Sequence, residues 1–291
     1  MDMNFLSDES SQFPRNYSWN CGGKLFTFDQ PKVMGIVNCT PDSFYEKSRI
    51  STDKELHSLV EKHVNEGVDI LDLGGYSSRP GAEEISVDEE WTRISKALKF
   101  IKAEFPDVLV SIDTFRGDIV RRSCNEGANI INDISAGDLD KDLMREVAYQ
   151  KVPMILMHMK GNPQTMQTEI TYKNLLADTL YHLSEKVGKA REMGIVDVAV
   201  DPGFGFSKTM EQNYELLKQL GHFHIFEVPL LAGLSRKSMI YKALDIHQND
   251  SLNGTTVLNT IALSKGAHIL RVHDVKEAKE AIKLIQKMNQ F

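Results

Sequence analysis

The chain has little cysteine, no long apolar run and a deficit of positive charge. Its three cysteines, Cys21, Cys39 and Cys124, are too few and too scattered for a disulfide framework or a thiolate metal cage, so a reducing cytoplasm is the simpler setting. No uninterrupted apolar stretch approaches the ~20 residues that a membrane-crossing helix needs. The expectation is a soluble globular protein without a membrane partner. Lys plus Arg number 34 against 41 Asp plus Glu. That net charge of -7 disfavours sequence-independent binding of nucleic acid, while leaving room for a local basic pocket. No Pro- or Ser-rich linker divides the 291 residues. Neither a Rossmann fingerprint nor a Walker loop is present, which removes the obvious nucleotide readings. Residues 1–16 are polar and acidic, lacking the basic start and apolar stretch of an export signal, and are expected to be a flexible lead-in to one domain over 17–291.

What the chain does have is a recurring phrase of short apolar run and longer amphipathic segment. The runs at 33–38, 69–73, 108–113, 129–133, 153–158, 198–201, 229–233 and 269–273 are apolar on both sides of the alternation, as strands buried on both faces of a parallel sheet are. Between them the spacing predicts helices over 53–66, 87–104, 117–126, 139–149, 172–193, 212–220, 255–265 and 275–289. Several close on glycine, at Gly67, Gly127, Gly194 and Gly266. Roughly eight such units in one length of chain point to an α/β fold, a single (β/α)8 TIM barrel, with an open doubly wound sheet as the rival. Before them, residues 19–28 with Gly22 and Gly23 at the centre read as a β-hairpin that covers the barrel's bottom.

The polar residues that interrupt the apolar pattern fall at strand C-terminal ends: Asn38, Asp72, Asp113, Asn132, Asp133, His158, Asp201, Arg236, Lys237, Arg271 and His273. In a barrel these ends converge on one rim. Any one of them could be a helix cap or a satisfied loop group, and by themselves Asp113 and Asn132 stay open between capping and ligand binding. His158, amid methionines at 154, 157 and 159, has no second histidine or acid at metal-ligand spacing and reads as a hydrogen-bonded structural residue. The loop DPGFGF at 201–206 combines glycines that allow close backbone approach with phenylalanine walls for a flat ligand.

The ordered set MGIVNCTPDSF at 34–44, SSRPGA at 77–82, SIDT at 111–114, INDIS at 131–135, LMHMKG at 156–161, DPGFGF at 201–206, GLSRKS at 233–238 and RVHD at 271–274 resembles the dihydropteroate synthase family of pterin-binding barrels. The resemblance implies condensation of 6-hydroxymethyl-7,8-dihydropterin pyrophosphate with 4-aminobenzoate in folate biosynthesis. It places Asp113, Asn132, Met157, Asp201, Gly233 and Lys237 around the pterin, and Asn38, Arg79, Arg271 and His273 at the pyrophosphate, with Mg2+ on Asn38. Ser78, Pro80, Phe206, Lys237 and Ser238 fall on the 4-aminobenzoate side. Thr40, Pro41, Asp42, Ser43, Phe44 and Arg79 match loops that close over the site. Catalysis would rest on Asp113, Asp201, Lys237, Arg271 and His273, in a cytoplasmic homodimer open to sulfonamide inhibition. Tyr76 stands where the family pattern has Glu, Ser78 where Thr is commoner, and residues 45–49 replace a glycine-rich continuation. A pterin-dependent methyltransferase of the same fold and a catalytically silent pterin-binding paralogue are the alternatives.

Overall fold

The computed structural model describes residues 17–39, 53–77, 83–166, 168 and 170–290. The chain opens on a hairpin, β1 (Ser18–Cys21) and β2 (Lys24–Thr27), paired antiparallel. Its two-residue turn needs positive φ at both positions, which Gly22 (65°) and Gly23 (87°) supply.

Eight parallel strands follow: β3 (Lys32–Asn38), β4 (Ile70–Gly74), β5 (Leu109–Asp113), β6 (Ile130–Asp133), β7 (Met154–Met157), β8 (Val198–Asp201), β9 (Leu231–Ala232) and β10 (Ile269–Val272). They pair in the order β8-β7-β6-β5-β4-β3-β10-β9. A bridge between Val200 and Leu230 joins the two remaining edges, so the sheet closes into a barrel and the open doubly wound alternative is excluded.

The helices α1 (Asp53–Asn65), α2 (Val87–Glu104), α3 (Gly117–Asn125), α4 (Leu143–Gln150), α5 (Leu175–Glu192), α6 (Met210–Lys218), α7 (Ser238–Ala243), α8 (Leu252–Ser264) and α9 (Val275–Met288) lie between and after the strands. Each of the longer ones buries one stripe against the barrel, as Ile94, Ala97, Leu98 and Ile101 do on α2. None of the described helices is long and apolar enough to cross a membrane.

Helix ends depart from the periodicity where side chains cap them. Asn174 accepts from the Ala177 amide at 3.0 Å, so α5 begins at Leu175 instead of near 172. A reciprocal box between Thr209 and Gln212 starts α6 at Met210. Residues 139–142 form a turn held by Asp140, whose carboxylate takes the Gly117 and Asp142 amides, and α4 starts after it. The expected strand at 229–233 is reduced to Leu231 and Ala232, and α7 is a short helix that the periodicity does not announce.

Inside the barrel, side chains stack in layers because alternate residues of every strand face inward. The lowest layer is Met34, Ile70, Leu109, Ile130, Ile155, Ala199, Leu231 and Ile269, and it is sealed by Trp19, Cys21 and Phe28 of the hairpin segment. Two residues further along, the inward positions of β4, β5 and β10 turn polar, at Asp72, Ser111 and Arg271. The apolar plug at one end and the polar layers above it direct all chemistry to the strand C-terminal rim.

Candidate active site

An ion-paired cluster spans the barrel below the rim. Arg271, from β10, places Nε 2.6 Å from Asp72 Oδ2 on β4 and Nη2 2.7 Å from Asp113 Oδ2 on β5. Asn132, from β6, donates its Nδ2 to the same Asp72 oxygen at 3.1 Å. Asp72 is wholly buried, whereas the side chains of Asp113 and Arg271 keep 21% and 20% of their surface exposed toward the rim. Burial pushes the Asp113 carboxyl up to about 7, against the pull of Arg271 and helped by the neighbouring charge of Asp72. Burial works against the Arg271 charge, but the carboxylates of Asp72 and Asp113 outweigh it and hold the guanidinium's pKa above its ordinary value.

Opposite this cluster stands a lysine and its acid. A side chain built on Gly233 would meet Asp201 Oδ2 at 3.8 Å and Lys237 Nζ at 3.9 Å, so the bare backbone there lets both groups face one space. Asp201 accepts from the Gly203 amide at 2.8 Å, and burial raises its pKa despite Lys237. The Lys237 ammonium bonds the Phe204 carbonyl and lies 4.6 Å over the Phe206 ring. Burial brings its pKa down to about 8, with Asp201 opposing the shift. Met157 and Met159 pack with Ile134 and Met166 beside Phe115 and Phe206, a flexible apolar wall between the two polar groups.

His273 closes the rim at the end of β10. Its Nδ1 lies 3.0 Å from Ser235 Oγ, and burial drives its pKa down to about 3. The shift favours the uncharged imidazole in the fold. Asn38 ends β3 half-buried, and its Oδ1 and Asp113 Oδ2 both lie 3.8 Å from where a Gly74 Cβ would stand. One amide oxygen is a hard neutral donor of the kind magnesium accepts while taking its other ligands from water and phosphate oxygens. Among the described residues no group of three or more His, Cys, Asp or Glu could hold a metal by itself.

Ser238 begins α7 next to Lys237. Thr40, Pro41, Asp42, Ser43, Phe44, Ser78, Arg79 and Pro80, with the departures at 45–49, lie outside the described residues. Tyr76 packs edge-on to Phe115 at 5.0 Å with Arg116 over its face at 5.2 Å, so an aromatic–cation stack occupies the place of the family's Glu. His158 is buried, its Nδ1 3.0 Å from Lys208 Nζ, in agreement with a structural role.

Three residues of the site carry roles that the motifs do not announce. Asp72 binds Arg271 and Asn132 together, and its signal in the sequence is a polar residue interrupting an apolar run, with no partner indicated. Lys208 is buried and donates to the Gly203 and Phe206 carbonyls at 2.9 and 3.0 Å, pinning the loop after β8. Arg236, with φ 53°, ties the loop after β9 to Asp274.

A family model described as pterin binding enzyme matches residues 34–273. The dihydropteroate synthase of Escherichia coli (strain K12) is 39% identical over 266 residues, covering 91% of this chain and 94% of that protein. That of Haemophilus influenzae is 39% identical over 267 residues, with 90% and 96% covered. Among solved structures, Yersinia pestis dihydropteroate synthase with a sulfonamide drug superposes with a TM-score of 0.90 at 34% identity, covering 94% of this chain and 100% of that one. The Xanthomonas albilineans enzyme in complex with 7,8-dihydropteroate gives 0.83 at 31% identity, with 94% and 100% covered. Likeness of this extent, in sequence and on the same closed barrel, makes the chain a member of the dihydropteroate synthase family of pterin-binding enzymes.

Proposed function

We propose that the rim joins 6-hydroxymethyl-7,8-dihydropterin pyrophosphate to 4-aminobenzoate, giving 7,8-dihydropteroate and pyrophosphate. The enzyme is a transferase of the pterinylmethyl group. What supports the reading is that Asp113, bonded to Arg271, and Asp201, beside Lys237 at Gly233, stand at the ends of β5 and β8, with Asn132 and Met157 on the two strands between. A planar ring edge of donors and acceptors needs acids, an amide and a cation held in this way.

The chemistry asks for little proton transfer. The bond between the pterin methylene carbon and the pyrophosphate oxygen breaks with its electron pair leaving on oxygen, and the conjugated ring shares the positive charge. The amine of 4-aminobenzoate then donates its lone pair to that carbon and sheds a proton. Asp113, which titrates near neutrality because it is buried, is drawn to its ionised form by the developing ring charge, and Asp201 assists. Arg271 and His273 take the departing anion, and family pattern adds Arg79; Asn38 would hold magnesium, which would supply charge to the pyrophosphate. Phe206, Ser238 and Lys237, with Ser78 and Pro80, take the flat benzoate ring and its carboxylate. The loops bearing Thr40, Pro41, Asp42, Ser43, Phe44 and Arg79 are assigned to closure over the site by family pattern alone.

The same reading includes a homodimer, a cytoplasmic setting and sulfonamide sensitivity. A groove between α8 and α9 lined by Leu252, Thr256, Leu284, Ile285 and Met288, with Val257 and Ile261 exposed nearby, supports the dimer. Three free thiols fit the reducing compartment. A sulfonamide-bound relative supports the inhibition. The deciding experiment incubates the purified protein with both substrates, with magnesium or with chelator. Dihydropteroate and pyrophosphate should form together only with magnesium; absence of both under magnesium would overturn the assignment.

A further inference from the structure

Asp72 is an interior acid to which the proposed reaction gives no task. It is fully buried on the inward face of β4, and its Oδ2 accepts from Arg271 Nε at 2.6 Å and from Asn132 Nδ2 at 3.1 Å. Its Oδ1 has no partner among the described residues, so these two contacts are what offset the burial of the charge. The partners come from strands that are distant in the chain, 199 and 60 residues away, and both are residues that the proposed reaction places at its ligands.

We infer that Asp72 is a positioning residue for pterin recognition, one oxygen that orients both the Asn132 amide and the Arg271 fork. Because one N–H of Asn132 Nδ2 is held by Asp72, the amide is fixed against turning over, and its carbonyl Oδ1 stays on the branch that can accept from a ligand. The exocyclic amino group of a pterin is a donor and needs that acceptor. An amide free to turn over would present donor against donor. Arg271, held by Nε on Asp72 and by Nη2 on Asp113, has its plane fixed across the barrel, which leaves the Asp113 Oδ1 edge to the pterin. Asp72 touches no substrate in this arrangement and acts through the residues that do.

The inference rests on the pterin reading of the rim, and one titration separates the two. Binding of 6-hydroxymethylpterin, which carries no leaving group, is measured on the intact protein by calorimetry; a parent that does not bind overturns both. Given binding, Asn132→Asp should weaken it at least about tenfold and more than Asn132→Ala does, because the new carboxylate faces Asp72 with no N–H to give. Were Asn132 only an acceptor for the pterin amino group, Asn132→Asp would bind as tightly as the parent, and that result would overturn the inference. Asp72→Asn should likewise lose about tenfold in pterin affinity while KM for 4-aminobenzoate at saturating pterin moves less than about twofold. In an Asn132→Ala background the same change should cost clearly less. Equal losses in both backgrounds, or a parallel rise in the 4-aminobenzoate KM, would reduce Asp72 to a general structural residue. If Asp72→Asn does not fold, the comparison of the two Asn132 variants decides alone.

Discussion

The guanidinium of Arg236 grips the carboxylate of Asp274 through two parallel hydrogen bonds, Nε to Oδ2 at 2.9 Å and Nη2 to Oδ1 at 2.8 Å. The pair is nearly buried, and it fastens the loop that carries Lys237 and Ser238 to the strand end that carries His273. Arg236 also reaches the Asn249 carbonyl at 2.8 Å, so its head is fully committed to holding the fold. Arg236→Ala leaves Asp274 unpaired and should cost about 3–5 kcal/mol of stability. Arg236→Lys keeps the charge but not the fork and should fall between. Urea unfolding at neutral pH reads both; a loss for Arg236→Ala under about 1 kcal/mol, as for an exposed pair, would contradict the fastening role.

Asp113 makes a pH prediction whose sign can be worked out. Its pKa in the fold, about 7, lies above the ordinary carboxyl value of 3.8 because it is buried. Between those values the folded protein holds a proton that the unfolded chain has released, so this group lowers stability as pH rises from about 4 to about 7. Asp113→Asn removes the contribution, which amounts to at most about 1.4 kcal/mol per pH unit in that window. Stability of the variant relative to the parent should therefore climb through the window and level off above it. Turnover of the parent should rise over the same interval as the carboxylate forms, and Asp113→Asn should lose turnover far more than pyrophosphate affinity. Parallel stability curves, or unchanged turnover, would remove the electrostatic role.

Lys208 holds the aromatic loop from beneath. Its ammonium bonds the Gly203 and Phe206 carbonyls and His158 Nδ1, and burial brings its pKa down to about 7. Lys208→Met would leave those acceptors unpaired, at roughly 1–3 kcal/mol for each buried group left without a partner. Since Phe206 is the wall proposed for 4-aminobenzoate, KM for that substrate should rise several-fold while pterin affinity changes less. Gly203→Ala should do more damage: φ is 73° there, and an added methyl would collide with the His158 carbonyl. Steady-state kinetics on both variants, with thermal unfolding, checks the order.

The opposite end of the barrel offers a contrast. Trp19 is buried against the lowest core layer, so Trp19→Ala should cost about 3–5 kcal/mol. Because the plug lies away from the rim, kcat and both KM values should stay near the parent's at a temperature where the variant remains folded. A selective loss of substrate affinity would show that the bottom layer is coupled to the site.

Much of this architecture is legible in the sequence because it depends on near neighbours. Apolar runs and 3.6-residue stripes mark the strands and most helices, and Gly67, Gly127, Gly194 and Gly266 do take the positive φ expected at helix ends. The motifs at strand ends mark Asp113, Asn132, Asp201, Lys237, Arg271 and His273 as candidates through the family resemblance, whereas polarity at a strand end by itself leaves capping and ligand binding open. Tertiary structure decided what neighbours in the chain cannot. Closure through Val200 and Leu230 chose the barrel over the open sheet. Burial lowers the His273 pKa, and capping side chains moved the helix starts. Asp72 became the shared acceptor of Asn132 and Arg271 only when strand register brought residues 60 and 199 positions away onto one oxygen. Periodicity reports which face of a strand is inward; the partner that waits there is set by the closed sheet, where burial makes each hydrogen bond and charge count.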